Sequence, residues 1–275
     1  MVTQEQRKRQ LAREKFLRQQ QRRTSARRKA RMRNSVIASV LGVIVIGSVA
    51  LYTTGVLKGN DDKSNASADV TPTPSASATK KAPDPCAKPA AGKIKTLTWK
   101  KEPAVTIDKS AKYTMKLATT CGDIDIALKT SAAPHTVNSF DFLAGKGFFD
   151  HTKCHRLTTS GIYVLQCGDP TGAGSGGPGY TIPDENLKDA SLKGGIYPAG
   201  TIAMANTGQK HTGGSQFFLV YKDSTLPASY TPFGTISASG MKVLNKIAAA
   251  GESTGAGDGA PNATVVINKA TVTKS

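Results

Sequence analysis

Beyond residue 104 the sequence predicts a mainly β domain, a closed antiparallel barrel capped by two helices. Three observations carry that class. Short apolar runs of strand length recur from Tyr113 onward, only two stretches show helical spacing, and glycine-rich connections, above all GAGSGGPG at 172–179, separate the runs. The sequence shows no internal repeat.

The first run alternates: Tyr113, Met115 and Leu117 face one way, and Ile124, Ile126 and Leu128 follow after Cys121-Gly122-Asp123. That pattern predicts a hairpin with one buried face. Residues 134–143 open with turn chemistry and place Val137, Phe140, Leu143 and Ala144 at helical spacing, with Gly145 at the end. Strands are expected at 154–158, 163–167, 200–205, 216–221, 233–236 and 264–272. A second helix is expected at 242–250, burying Val243, Leu244, Ile247 and Ala248.

The rest of the chain divides by composition. Residues 1–34 carry 13 Lys and Arg against Glu5 and Glu14, and the 22 residues at 36–57 hold no charge. An apolar run of that length spans a bilayer as a helix, and basic residues beside it stay on the cytoplasmic side. The expected organisation is therefore a basic cytoplasmic tail at 1–34 and an uncleaved signal-anchor helix at 35–57. A Pro/Ser/Ala/Lys-rich linker at 58–104 and an external domain at 105–275 follow. A cleaved signal peptide, with Ser48-Val49-Ala50 as the cleavage site, is the competing reading.

Of the formal charge of +18, residues 105–275 carry only +3. Nucleic-acid binding by the folded part thus has no compositional support, and the tail reads as an orientation signal before an RNA or lipid contact. All four cysteines, Cys86, Cys121, Cys154 and Cys167, lie beyond the apolar run. An even count outside the cytosol favours disulfides, and without CxxC or HxxxH spacing no metal is expected.

Arg156 stands apart. After Arg33 it is the sole arginine, in a chain otherwise supplied with lysine. A lone guanidinium marks a place that needs a planar, permanently charged fork of donors, in catalysis or in a buried ion pair.

Around it lie further motifs: His155-Arg156, Gln166-Cys167-Gly168-Asp169, Met204-Ala205-Asn206, Gly214-Ser215-Gln216-Phe217-Phe218 and Phe233-Gly234. In this order and near this spacing, over roughly residues 111–273, they resemble the cyclophilins, a family of peptidyl-prolyl isomerases, and among them the membrane-anchored or secreted members of actinobacteria. The resemblance implies an eight-stranded barrel with two helices and an active groove on its outer face. It implies no cofactor, and it makes Arg156 the principal catalytic residue, with Gln216 and His155 beside it. Gln166 and Gln216 would bind peptide or orient Arg156; Phe218 and Leu226 would form the apolar floor, joined by Tyr163 and Val164. Asn206 would pair with the peptide through its backbone, Ala205 would line the neighbouring pocket, and Tyr230 stands where a histidine is common.

Physical chemistry supports that role for an arginine. Rotation about an Xaa-Pro bond faces a barrier of about 20 kcal/mol because amide resonance is lost. A guanidinium aimed at the prolyl nitrogen bonds the lone pair that forms only as the amide twists, which favours the transition state over the ground state.

Other chemistries lack their residues. His155 and His211 have no partners at metal-ligand spacing, the 172–179 loop has no following Lys-Ser/Thr pair, and GGSQF lacks the second glycine of a nucleophile elbow. Phe217 and Phe218 alternate on one strand, so one of them belongs to the core.

Departures from the family are specific. Thr225 stands where many members have the tryptophan that contacts cyclosporin, so reduced sensitivity to that drug is expected. The LTTSGIYVLQ segment is about two residues longer than usual, which leaves the placement of Tyr163 and Val164 open by a residue or two. Cys154 and Cys167 fall on the two strands that should pair across this insertion, so Cys154–Cys167 and Cys86–Cys121 are the expected disulfides.

The expected function is cis-trans isomerisation of Xaa-Pro bonds in exported or cell-envelope proteins by a monomeric domain outside the cell membrane. The rival is a non-catalytic module or chaperone that holds proline-containing segments in the same groove.

Overall fold

The computed structural model describes residues 83–275, all within one compact unit. The expected tail, the anchor helix and the first part of the linker lie outside the described residues. Among the described residues no helix is long and apolar enough to cross a membrane.

The alternation at the start of the domain becomes β1 (Tyr113–Thr119) and β2 (Gly122–Leu128), paired antiparallel from Tyr113↔Leu128 to Thr119↔Gly122. Tyr113, Met115, Leu117, Ile124, Ile126 and Leu128 are all buried. Helix α1 (Pro134–Gly145) follows and buries Val137, Phe140, Leu143 and Ala144. Its Pro134 occupies the first turn, where a missing N–H costs nothing. The free amides of His135 and Thr136 donate to the carboxylate of Glu185, 3.0 and 2.8 Å away, so a distant loop caps this helix.

Ten more strands follow: β3 (Thr152–Lys153), β4 (Arg156–Thr158), β5 (Val164–Cys167), β6 (Ile196–Tyr197), β7 (Thr201–Met204), β8 (Phe217–Val220), β9 (Ser224–Thr225), β10 (Pro232–Ile236), β11 (Asp258–Gly259) and β12 (Val266–Lys274). Ten strands form one curled sheet in the order β11-β4-β5-β8-β7-β10-β2-β1-β12-β3, and β6 pairs with β9 apart from it. β3 and β4, near opposite ends of that order, are consecutive pieces of residues 152–158. Between them, the amide of Cys154 donates to Val265 and that of His155 to Gln166.

Helix α2 (Ala238–Ala249) begins four residues before the expected start at 242. Ser237 caps it by accepting from the Gly240 amide. Ala238-Ser239-Gly240 lacks an apolar stripe, and Gly240 is there because a Cβ would meet Ile236 and Ile124 at 2.9 and 3.1 Å. Leu244 and Ile247 are buried as expected, whereas Val243 and Ala248 are only half-buried.

The core has two parts. Phe140, Phe149, Phe217 and Phe233 cluster inside the curl with the β1 and β2 side chains. A smaller cluster of Val164, Tyr197, Ala203, Phe218 and Val220 sits apart from it. Strands β7 and β8 are buried at every position, so both faces of the sheet are covered there.

Both expected disulfides are present, Cys86–Cys121 and Cys154–Cys167. The first fastens residues 83–104, part of the expected linker, to the domain, where Ala87 also donates its amide to Thr120. Packed chain thus begins ahead of residue 105.

Candidate active site

The site is built by strand register. Arg156 on β4 stands opposite Gln166 on β5, Gln166 opposite Phe218 on β8, and Phe218 opposite Ala203 on β7. Because alternate residues share a face, Val164, Val220 and Ala205 extend that row on the smaller cluster's side. Phe217, one residue from Phe218, turns into the main core instead.

A cavity of about 210 Å³ opens along this row. That is below the ~300–1,000 Å³ of sites for whole drug-sized ligands and suits a single side chain. Phe218 and Val164 line it from the sheet, with Leu226, Tyr230, Ala205 and Asn206 from the loops and Arg156 and Gln166 at the polar side. Phe218 meets Tyr230 edge-to-face at 5.4 Å, and Tyr197 braces both from below, its hydroxyl donating to the Tyr230 carbonyl at 2.8 Å.

At the polar side Arg156 donates from Nε to Asp258 Oδ1 at 2.7 Å and from Nη2 to Asp258 Oδ2 at 2.8 Å. Nη1 donates to Gln166 Oε1 at 3.2 Å. The series continues, since Gln166 Nε2 donates to Gln216 Oε1 at 2.9 Å and Gln216 Nε2 to the Gly176 carbonyl at 3.0 Å. The hydrogen bonds to Asp258 raise the Arg156 pKa against the opposing effect of burial, so the guanidinium stays charged. Among the described residues three of its five N–H groups are engaged, and two remain for a ligand.

Three expected site residues sit elsewhere. Tyr163 does not line the cavity; its ring meets Tyr221 at 5.9 Å and carries the Lys222 ammonium 4.6 Å from its centre. Ile162 takes the place beside Val164. Gln216 lines the adjoining groove and reaches Arg156 through Gln166. His155 lies on the other side of its strand from Arg156, facing the 172–179 loop near Gly174, and burial lowers its pKa. Among the described residues no group of three or more His, Cys, Asp or Glu could hold a metal ion.

A family model described as "Cyclophilin type peptidyl-prolyl cis-trans isomerase/CLD" matches residues 114–272. The chain belongs to the cyclophilin family. It is 49% identical over 195 residues to the "Probable peptidyl-prolyl cis-trans isomerase B" of Mycobacterium leprae, covering 68% of this chain and 62% of that protein. It is 50% identical over 165 residues to the protein of the same name from Mycobacterium tuberculosis, covering 57% of this chain and 53% of that one. A crystal structure of a Cryptosporidium parvum cyclophilin aligns over 60% of this chain and 99% of its own, at 26% identity and a TM-score of 0.48.

Three features of this cyclophilin's site escaped the sequence reading. Asp258 sits in TGAGDGA, a glycine-rich turn with no apolar pattern, and reaches Arg156 only because β11 pairs with β4. Ile162 was hidden by the longer segment, since an apolar residue on either side of Tyr163 fits the same pattern. Residues 100–102, upstream of the region matched to the family, line the groove beside the cavity.

Proposed function

We propose that this domain is a peptidyl-prolyl cis-trans isomerase acting on Xaa-Pro bonds. The carrying observation is the arginine clamped by Asp258 and Gln166 at the edge of a side-chain-sized apolar cavity floored by Phe218. A prolyl ring fills such a cavity. The preceding carbonyl then turns while a free N–H of Arg156 bonds the prolyl nitrogen, and a ligand seated over the half-buried guanidinium excludes water from that bond. Gln166, braced through Gln216, fixes the guanidinium's orientation, so no reorganisation is needed as the amide twists. Leu226 and Tyr230 hold the ring, and Asn206 and Ala205 border the path of the peptide chain.

On this reading the curled sheet is a closed eight-stranded barrel, with residues 152–158 counted as one strand and the short β6, β9 and β11 set aside. The chain is a single-pass membrane protein with its tail in the cytoplasm, and the monomeric domain serves proline-containing segments of exported proteins. The uncharged run at 36–57, the basic residues before it and two disulfides after it support that arrangement.

The test is an NMR-exchange or protease-coupled isomerase assay on the full chain, comparing the parent with Arg156→Ala after checking that the variant is folded. A loss of about a hundredfold or more in kcat/KM in a folded variant is the expected result. A folded parent that binds proline peptides without accelerating exchange would move the assignment to a holding module.

A further inference from the structure

Residues 83–104 cross the domain as a strap. Trp99, the chain's only tryptophan, anchors it against α1 and the turn that follows, 5.0 Å from Phe142 and 6.1 Å from Phe148 between ring centres. Its amide donates to the Pro178 carbonyl at 2.8 Å. Gly179 permits that close pass, since a Cβ there would stand 2.8 Å from the Trp99 oxygen. The strap and the 172–179 loop are thereby joined, and Lys100, Lys101 and Glu102 come to line a groove of about 880 Å³.

This groove continues from the proline cavity, because Gln166, Ala205 and Asn206 border both. Its ionisable lining is uneven. Glu102 is taken up by His135, whose Nδ1 lies 2.7 Å from its Oε1. Lys100 and Lys101 are exposed, and neither has an ion pair among the described residues. No other carboxylate lines the groove among the described residues.

We propose that Lys100 and Lys101 make this strap a charge filter, which selects proline segments carrying an acidic side chain on the groove's side of the proline. The inference rests on the proline-binding reading of the cavity above. An extended peptide advances about 3.3 Å per residue, so the selected carboxylate falls within a few residues of the proline. The selection is one-sided because the strap lines the groove and none of its residues lines the cavity itself. It is also sensitive to salt, because the lysines face solvent. Nothing in the region shared with the family supplies these charges, since the match begins at residue 114.

The test uses the full chain and three peptide sets about one central Xaa-Pro bond: acidic, lysine or alanine side chains at the flanking positions, placed before the proline or after it. Binding is read by NMR titration and exchange by line shape, at low and high salt. The parent is expected to favour the acidic over the lysine peptide about three- to tenfold on one side of the proline only. In the double variant Lys100→Glu, Lys101→Glu that ratio falls to one or below. Equal treatment of acidic and lysine peptides by the parent, or an equal preference on both sides reflecting the chain's overall charge, overturns the proposal and leaves the isomerase reading standing. A one-sided preference in binding that reverses in the double variant, without accelerated exchange of any peptide, upholds the filter and removes the isomerase reading.

Discussion

Asp258 grips Arg156 edge-on, each carboxylate oxygen taking one guanidinium nitrogen at 2.7 and 2.8 Å. A paired, bidentate geometry fixes a plane as well as a distance, which a lysine cannot do. Arg156→Lys is accordingly expected to lose about a hundredfold in kcat/KM even though the charge is kept. Asp258→Asn keeps one acceptor and loses the symmetric grip, so kcat should fall about tenfold with KM changed less, and Asp258→Glu should recover part of the loss. Steady-state kinetics by NMR exchange checks both. A rise in KM alone for Asp258→Asn would make the carboxylate a substrate contact and not a clamp.

Cys154 and Cys167 flank the working pair, two residues before Arg156 and one after Gln166. Closing a loop of 13 residues stabilises by about 3 kcal/mol, and the 35-residue Cys86–Cys121 loop by about 4 kcal/mol. Cys154→Ser with Cys167→Ser should therefore lower stability by about 3 kcal/mol and also slow exchange, because it loosens the strands that carry Arg156 and Gln166. Cys86→Ser with Cys121→Ser should cost similar stability with little loss of rate on neutral peptides. Urea denaturation and the exchange assay on the two pairs separate these outcomes, and equal kinetic losses would break the distinction.

Strong periods were legible in the sequence, though the weaker one of α2 overstated the burial of Val243 and Ala248. The β1–β2 hairpin and the apolar face of α1 follow from spacing alone, whereas spacing puts Phe217 and Phe218 on opposite faces and only the family resemblance says that Phe218 is the one at the cavity. The lone arginine pointed to Arg156, and the neighbouring strands that carry Cys154 and Cys167 were enough to pair them. Contacts made by loops were not legible. Glu185 capping α1 from about fifty residues away and Asp258 reaching Arg156 across β11 leave no local signal, since a single carboxylate in a turn looks the same whether solvated or paired. The strap has the composition of a linker; the ring of Trp99, the Cys86 disulfide and scattered contacts such as Ala87 to Thr120 and Ala90 to Asn268 tie it down, and none of these has a period. The start of α2 was missed because Gly240 follows a packing demand rather than helix propensity.

Trp99 makes the strap's docking measurable. As the only tryptophan it reports a partly buried ring against Phe142 and Phe148. Trp99→Ala should destabilise the domain by about 2–3 kcal/mol, less than the cost for a fully buried ring. In the parent, emission should shift to the red in the same urea transition as the loss of near-ultraviolet ellipticity. An emission change well ahead of the main transition would mean that the strap undocks by itself.

Asp169 gives the pH dependence. It is fully buried, and its two oxygens accept from the amides of Thr171, Gly174 and Ser175 and from the Thr171 hydroxyl, at 2.6–2.9 Å. Burial alone would raise its pKa, but the hydrogen bonds from Thr171, Gly176 and Gly174 outweigh it and hold the carboxyl below its usual 3.8. A folded pKa below the unfolded one adds stability that is fully present well above pH 3.8 and is lost as pH falls through the folded value. Asp169→Asn should therefore cost about 2–3 kcal/mol at pH 7, because an amide cannot accept from donors on both sides. That deficit relative to the parent should shrink as pH is lowered past the carboxylate range. Because Gly174, Ser175 and Gly176 line the groove beside the proline cavity, the same variant should also bind proline peptides more weakly at pH 7. Urea midpoints of both proteins from pH 7 to about pH 2 decide the point, and curves that stay parallel down through the range below pH 3.8 would show that the Asp169 charge does not hold this loop.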